Sequence, residues 1–164
     1  MQSLQKEQKL LYKINFSDFF ILNDGNADFN KTKKTKYKIL IVDDEEIILD
    51  MYEAKFKSDG FTVFKASNGQ EGLAVAKKEK PDIILTDIVM PKFGGFYLLK
   101  NIKNNPELKN IPVITLSNAD DANHRQKACE LGTLYYLVKS ECLPKDIANI
   151  TQEVLAIKRG QKKL

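Results

Sequence analysis

The chain has 164 residues, 43% of them hydrophobic and 29% charged, with 8 Gly, 5 Pro and 2 Cys; this excludes wholesale disorder, collagen-like repeats and a disulfide scaffold. The length suits one domain of about 100–200 residues, large enough to hold together without metal or cross-links. Of the net charge of +4, +3 lies in residues 1–36 and only +1 in residues 37–164, so the body lacks the strong basic face of a nucleic-acid binder.

Residues 1–36 show no regular period and are read as an amino-terminal extension, partly disordered. Within it LLYKINFSDFFIL (10–22) gathers apolar side chains that would alternatively pack as a short helix or strand or dock a partner. KTKKTKYK (31–38) reads as a solvated linker. No apolar run approaches a membrane span, and the amino terminus lacks the small-residue cleavage site of a signal peptide. A cytoplasmic location is expected, with Cys129 and Cys142 as reduced thiols that match no metal spacing.

From Tyr37 short apolar runs alternate with helical ones. KILIV (38–42) predicts a buried strand that stops at Asp43-Asp44. Glu45 to Ser58 predicts a helix with Ile47, Met51 and Ala54 on its inner face and Gly60 as its stop. FTVFKA (61–66) is the second strand, and Gly69 to Lys80 a helix with Leu73 and Ala76 inward, closed by Pro81. DIILT (82–86) is the third strand, followed by the loop DIVMPKFGG and the helix FYLLKNIKNN, which Pro106 ends. PVITL (112–116) is the fourth strand, a helix runs from about Ala119 to Leu131, and YYLV (135–138) is the fifth strand. The last helix carries the stripe Leu143, Ile147, Ile150, Val154 and Ile157. These repeats over residues 37–158, with a short tail at 159–164 and no output domain attached, predict an α/β fold: a parallel sheet covered on both sides, with right-handed crossovers.

In open parallel sheets, ligands bind beyond the carboxyl ends of the strands. Four strand ends here carry a chemically capable side chain: Asp43 and Asp44, Asp87, Ser117, and Lys139. Each alone has a plain role. Asp44 and Ser117 would serve as helix caps, Asp87 as a turn residue, and Lys139 as a surface lysine. Their arrival at one edge instead favours a site. Three crowded carboxylates repel unless a cation neutralises them, and an all-oxygen set with few protein ligands suits Mg²⁺. An ionised Asp beside Mg²⁺ and a lysine can attack a phosphoryl group, with Ser117 donating a hydrogen bond to one of its oxygens.

The motifs ILIVDDEE (39–46), PDIILTDIVMPKFGG (81–95), PVITLSN (112–118) and GTLYYLVKS (132–140) together resemble the receiver domain of two-component response regulators, particularly the stand-alone chemotaxis type. The resemblance implies a flavodoxin-like, doubly wound, five-stranded parallel sheet of order 2-1-3-4-5 with five helices, acting in a phosphorelay. It makes Asp87 the phosphoacceptor, Asp44 a direct Mg²⁺ ligand, Asp43 a ligand through water, and the main-chain carbonyl of Val89 a further ligand. Ser117 becomes the hydroxyl switch residue, Tyr136 the aromatic switch and Lys139 the phosphate-binding lysine. Pro91 and Gly95 become loop supports, the glycine tolerating a backbone twist. The implied partners are a sensor histidine kinase or phosphotransfer protein and an unidentified downstream protein. No enzymatic activity is implied beyond assistance to the protein's own phosphoryl transfer and loss.

Two residues depart from that pattern. Ser140 stands where the family has Pro after a cis bond; cis costs about 2.5–4 kcal/mol before Ser against about 0.5–1 before Pro. Either a strained cis bond or, at lower cost, an altered loop is expected there. Asn118 replaces the usual Ala or Gly and predicts hindered access of water and small phosphodonors, hence slow phosphorylation and a long-lived phosphoryl group. Other readings fit less well. An aspartate-nucleophile phosphatase would carry D-x-D-x-T where this chain has D-D-E-E-I, and a flavodoxin-like nucleotide binder would need a Ser/Thr/Gly-rich loop there. A degenerate receiver, binding partners without phosphorylation, stays open. His124, in ANHRQ, is read as an exposed helix residue with no acidic neighbour to orient it.

Overall fold

Among residues 36–118 and 120–160, which the computed structural model describes, five short strands alternate with five α-helices. The strands are β1 Lys38–Val42, β2 Thr62–Ala66, β3 Ile83–Asp87, β4 Val113–Ser117 and β5 Tyr135–Val138. The helices are α1 Glu46–Ser58, α2 Gly69–Glu79, α3 Gly95–Asn104, α4 Ala122–Glu130 and α5 Pro144–Lys158. The expected extension lies, but for Lys36, outside the described residues, with its cluster at 10–22 and most of the basic linker. The same holds for the tail beyond Gly160.

All strand pairs are parallel and the sheet order is β2-β1-β3-β4-β5. Every residue of β3, β4 and β5 is buried, the expected state of a parallel sheet covered on both faces. The edge strand β2 is half-buried until Ala66, and its Lys65 pairs across to Asp50 and Glu53 of α1 at 2.7 Å each. Side-chain alternation divides the core. Leu40, Val42, Ile84 and Val113 pack with Leu73 and Ala76 of α2 and with Leu98, Leu99 and Ile102 of α3. Ile39, Ile41, Ile83 and Leu85 are equally buried and point to the opposite face, while α1 and α5 pack against each other.

The sequence-predicted strands shift by at most one residue. α4 begins at Ala122, later than expected, because Asp121 caps it by accepting the His124 N–H at 2.9 Å. The inner face of α1 needs correction. Leu49, Tyr52 and Phe56 are its buried residues, whereas Ile47 is 83% exposed, and Met51 and Ala54 also face solvent. Both stripes have helical spacing. The aromatic one prevails because Phe56 buries a large ring edge-on to Phe61, with centroids 5.2 Å apart. In α5, Ile147, Ile150 and Val154 are buried as expected, but Leu143 is the exposed N-cap. Phe56→Ala is expected to cost about 3–5 kcal/mol and Ile47→Ser less than about 0.5 kcal/mol, read from urea unfolding midpoints. Equal losses would restore the first stripe.

Candidate functional site

Strand register levels the site. Val42 pairs with Thr86, Asp87 with Leu116, and Ser117 with Val138, so Asp43, Asp87, Ser117 and Lys139 emerge at the same sheet edge. Asp43, Asp87 and Ser117 are buried. The plain roles of Asp44, Ser117 and Lys139 fall away one by one. α1 takes Glu45 as its N-cap without a side-chain bond, so Asp44 caps nothing and stays exposed at the rim. α4 is capped by Asp121, not Ser117. The Lys139 side chain is only 12% exposed.

One oxygen from each of Asp43, Asp44 and Asp87 lies within 4.8 Å of the others. The Lys139 ammonium donates to Asp43 Oδ2 at 2.6 Å and stands 3.3 Å from Asp87 Oδ2. The remaining oxygens are held by the backbone: Asp43 Oδ1 accepts the Glu45 N–H at 3.0 Å and Asp87 Oδ1 the Ile88 N–H at 2.7 Å. Three carboxylates around one ammonium leave a negative excess. Burial raises the Asp87 pKa above the ordinary carboxylate value; Lys139 opposes this and Asp43 adds to it. Burial also works against the Lys139 charge, yet its bond to Asp43 and the charges of Asp87 and Asp43 outweigh that and hold its pKa above the usual lysine value. This all-oxygen set, with one member open to solvent, fits a hard divalent cation.

The loop from Asp87 to α3 is closed by backbone bonds, Phe93 N–H to the Pro91 carbonyl at 2.9 Å and Gly95 N–H to the Ile88 carbonyl at 3.0 Å. Lys92 between them takes the left-handed conformation, with φ 64°. Gly95 is needed for a different reason from the one expected. Its φ lies outside the left-handed region, but a Cβ there would overlap the carbonyl oxygen of Asp87. The Val89 side chain is 62% exposed, so only its backbone is a candidate for the site.

After Lys139 the described residues contain no cis peptide bond; the chain instead makes one 3₁₀ turn, Lys139–Glu141, before α5. The strained cis bond expected as one outcome at Ser140 is therefore not found. Tyr136 is buried and its phenol is hydrogen-bonded with Ser117. Tyr135, its neighbour in β5, is also buried. His124 is half-buried, not exposed, edge-on to Phe96 at 5.5 Å, and Asp121, the cap of its helix, accepts its backbone N–H. The wrong inner face for α1 also hid Tyr52. Its buried phenol sits near Asp43, Cys142 and Asp87, and burial followed by those charges pushes its pKa up.

Comparison with known proteins places the fold in a family. A family profile for the response regulator receiver domain matches residues 39–152. The chain belongs to the response regulator receiver family. Protein PilH of Pseudomonas aeruginosa is 34% identical over 123 residues, spanning 75% of this chain and 98% of PilH. Other relatives are longer. The receiver spans 41% of a probable transcriptional regulator, ycf27, of Guillardia theta at 37% identity, and 22% of the response regulator PleD of Caulobacter vibrioides at 35%. Among solved structures, the chemotaxis protein CheY4 of Vibrio cholerae superposes with a TM-score of 0.69 at 29% identity, over 73% of this chain and 99% of that one. A CheY-like receiver of Methanospirillum hungatei gives 0.72 at 25% identity, over 78% and 100%. The sheet order and helix count are those of this CheY-like fold, and the receiver's role lies in two-component signalling. No helix among its described residues is long and apolar enough to cross a membrane.

Proposed function

We propose that the protein accepts a phosphoryl group on Asp87 from a phosphohistidine of a sensor histidine kinase or phosphotransfer protein, and that this changes a surface read by a downstream protein. The convergence of three carboxylates and Lys139 carries the reading. Asp43, Asp44, Asp87 and the Val89 carbonyl would hold Mg²⁺, which when bound supplies positive charge to the phosphoryl oxygens.

One carboxylate oxygen of Asp87 attacks phosphorus; the O–P bond forms as the N–P bond breaks, and its electron pair returns to the donor imidazole. Asp87 is suited to this because Ile88 N–H fixes Oδ1 and leaves Oδ2 facing Lys139. The Lys139 ammonium neutralises charge on the transferred group. Ser117, buried at the end of β4, donates its hydroxyl to a phosphoryl oxygen, and Tyr136 follows Ser117 through their shared hydrogen bond. Such a switch needs contacts that differ between two states, and the phosphoryl group supplies them at Ser117 and Lys139. The protein is then a cytoplasmic signalling switch, not an enzyme acting on other substrates.

Incubation with acetyl phosphate and Mg²⁺ is expected to add one acid-stable, base-labile phosphoryl group, detected by intact mass and lost when EDTA is present. In the same assay Asn118→Ala is expected to be phosphorylated faster and to lose the group sooner, because Asn118 stands exposed beside Ser117. Equal rates would remove the role given to Asn118. No adduct, and no Mg²⁺-dependent response to beryllofluoride, would favour the degenerate receiver.

A further inference from the structure

Helix α4 has little apolar hold on the domain, since Ala128 is its one buried residue. Its polar side chains lie against aromatic rings instead. The Lys127 ammonium is 4.5 Å from the Phe96 centroid, with His124 edge-on to the same ring. Arg125 covers the other ring, its guanidinium carbon 4.8 Å from the centroid of Tyr136. Arg125 is held in turn: Nε and Nη2 both donate to Asp120 Oδ1, at 3.1 and 2.7 Å, and Nη1 lies 3.4 Å from the Tyr136 carbonyl oxygen. Asp120 stands three residues beyond Ser117 on the β4–α4 loop. The contacts therefore close a circle, from Ser117 to the Tyr136 phenol, from its ring to Arg125, from Arg125 to Asp120, and along the loop back to Ser117.

We propose that Arg125 is a positioning residue for Tyr136, holding its ring turned toward Ser117, and that Asp120 orients Arg125 for this task. The physical basis is directional. A cation gains from an aromatic ring only while it stands over the ring face, so a ring swung outward loses the contact with Arg125 together with the bond to Ser117. The ion pair itself is partly exposed, 31% at Arg125 and 61% at Asp120, and such pairs add little to global stability. Its effect is to select a guanidinium orientation, not to hold the fold together. The consequence for signalling rests on the proposed phosphorylation of Asp87: Arg125 sets how far Tyr136 is already disposed toward Ser117 when the phosphoryl group arrives.

The orientation of Tyr136 can be read without any phosphoryl group. The full chain is labelled with 3-fluorotyrosine, the Tyr136 resonance is assigned with Tyr136→Phe, and fluorine spectra are recorded without Mg²⁺ or phosphodonor. Arg125→Met is expected to move that resonance toward free fluorotyrosine and to speed nitration of Tyr136 in the unlabelled protein about fivefold. The urea midpoint is expected to stay near that of the wild type. Arg125→Lys keeps a cation over the ring and is expected to retain most of the wild-type signal, and Asp120→Asn to move the resonance part-way. An unchanged resonance in both Arg125→Met and Asp120→Asn overturns the proposal, as does an Arg125→Lys signal displaced as far as that of Arg125→Met. Failure of phosphoryl acceptance would leave this resting measurement intact, so the two readings fail separately.

Discussion

Asp87→Asn is expected to abolish the proposed phosphoryl acceptance and to make the metal-free protein more stable at neutral pH. The loss of acceptance is complete because the amide offers no anionic oxygen to attack phosphorus. The gain in stability follows from the site's charge. Burial, with Asp43 adding to it, raises the Asp87 pKa above its unfolded value despite Lys139. For a carboxyl group shifted in that direction, folding favours the protonated form. Stability is therefore highest below the ordinary carboxylate pKa and falls as pH rises from there through the raised folded value. A side-chain amide cannot ionise, so the Asp87→Asn variant lacks that fall and lies above wild type at neutral pH.

Mg²⁺ reverses the order. A ligand at 100 times its Kd stabilises the folded state by about 2.7 kcal/mol. Wild type gains this amount, while the variant, with one carboxylate fewer, gains much less. Urea unfolding across pH, with and without Mg²⁺, reads all of this. A variant less stable than wild type in the absence of metal, or one equally stabilised by Mg²⁺, would contradict the site described above.

Gly95→Ala is expected to cost about 3 kcal/mol and to weaken Mg²⁺ binding with it. The added Cβ would overlap the Asp87 carbonyl oxygen and come within 3.0 Å of the Asp87 carbonyl carbon and the Ile88 Cα. These are backbone atoms at the end of a central strand, with no flexible tip to give way. Relief means parting the start of α3 from the end of β3, which breaks the Gly95 N–H bond to the Ile88 carbonyl and shifts Asp87 with its strand. Gly60→Ala is the control. A Cβ there meets nothing within 4 Å, but φ is +89°, so only left-handed strain remains, about 1 kcal/mol, with Mg²⁺ affinity unchanged. If the two variants lose the same stability and both keep Mg²⁺ binding, close approach at Gly95 does not position Asp87.

Much of this was legible in the chain. Strand runs such as ILIV and the IIL of β3 are apolar throughout because both faces of the sheet are covered, so their existence could be read directly, while their order in the sheet followed from the family resemblance. The place of the candidate site was legible for the same reason: where an apolar run stops at Asp43, Asp87 or Ser117, the strand end is also the place where ligands bind in such sheets. The inner face of α1 was not legible. Ile47, Met51 and Ala54 repeat as regularly as Leu49, Tyr52 and Phe56, and periodicity cannot say which stripe meets a ring on another element.

The sequence alone thus determined the kind of fold and the edge at which the candidate site gathers, because local periodicity and strand ends are written in consecutive positions. The tertiary structure decided what depends on approach between distant segments. It set Lys139 against Asp43, 96 positions away, excluded any side chain at Gly95, and chose Phe56 over Ile47 for the core. It also placed Arg125 over Tyr136. No spacing rule encodes these contacts, since each depends on how two separately formed elements come to rest against one another.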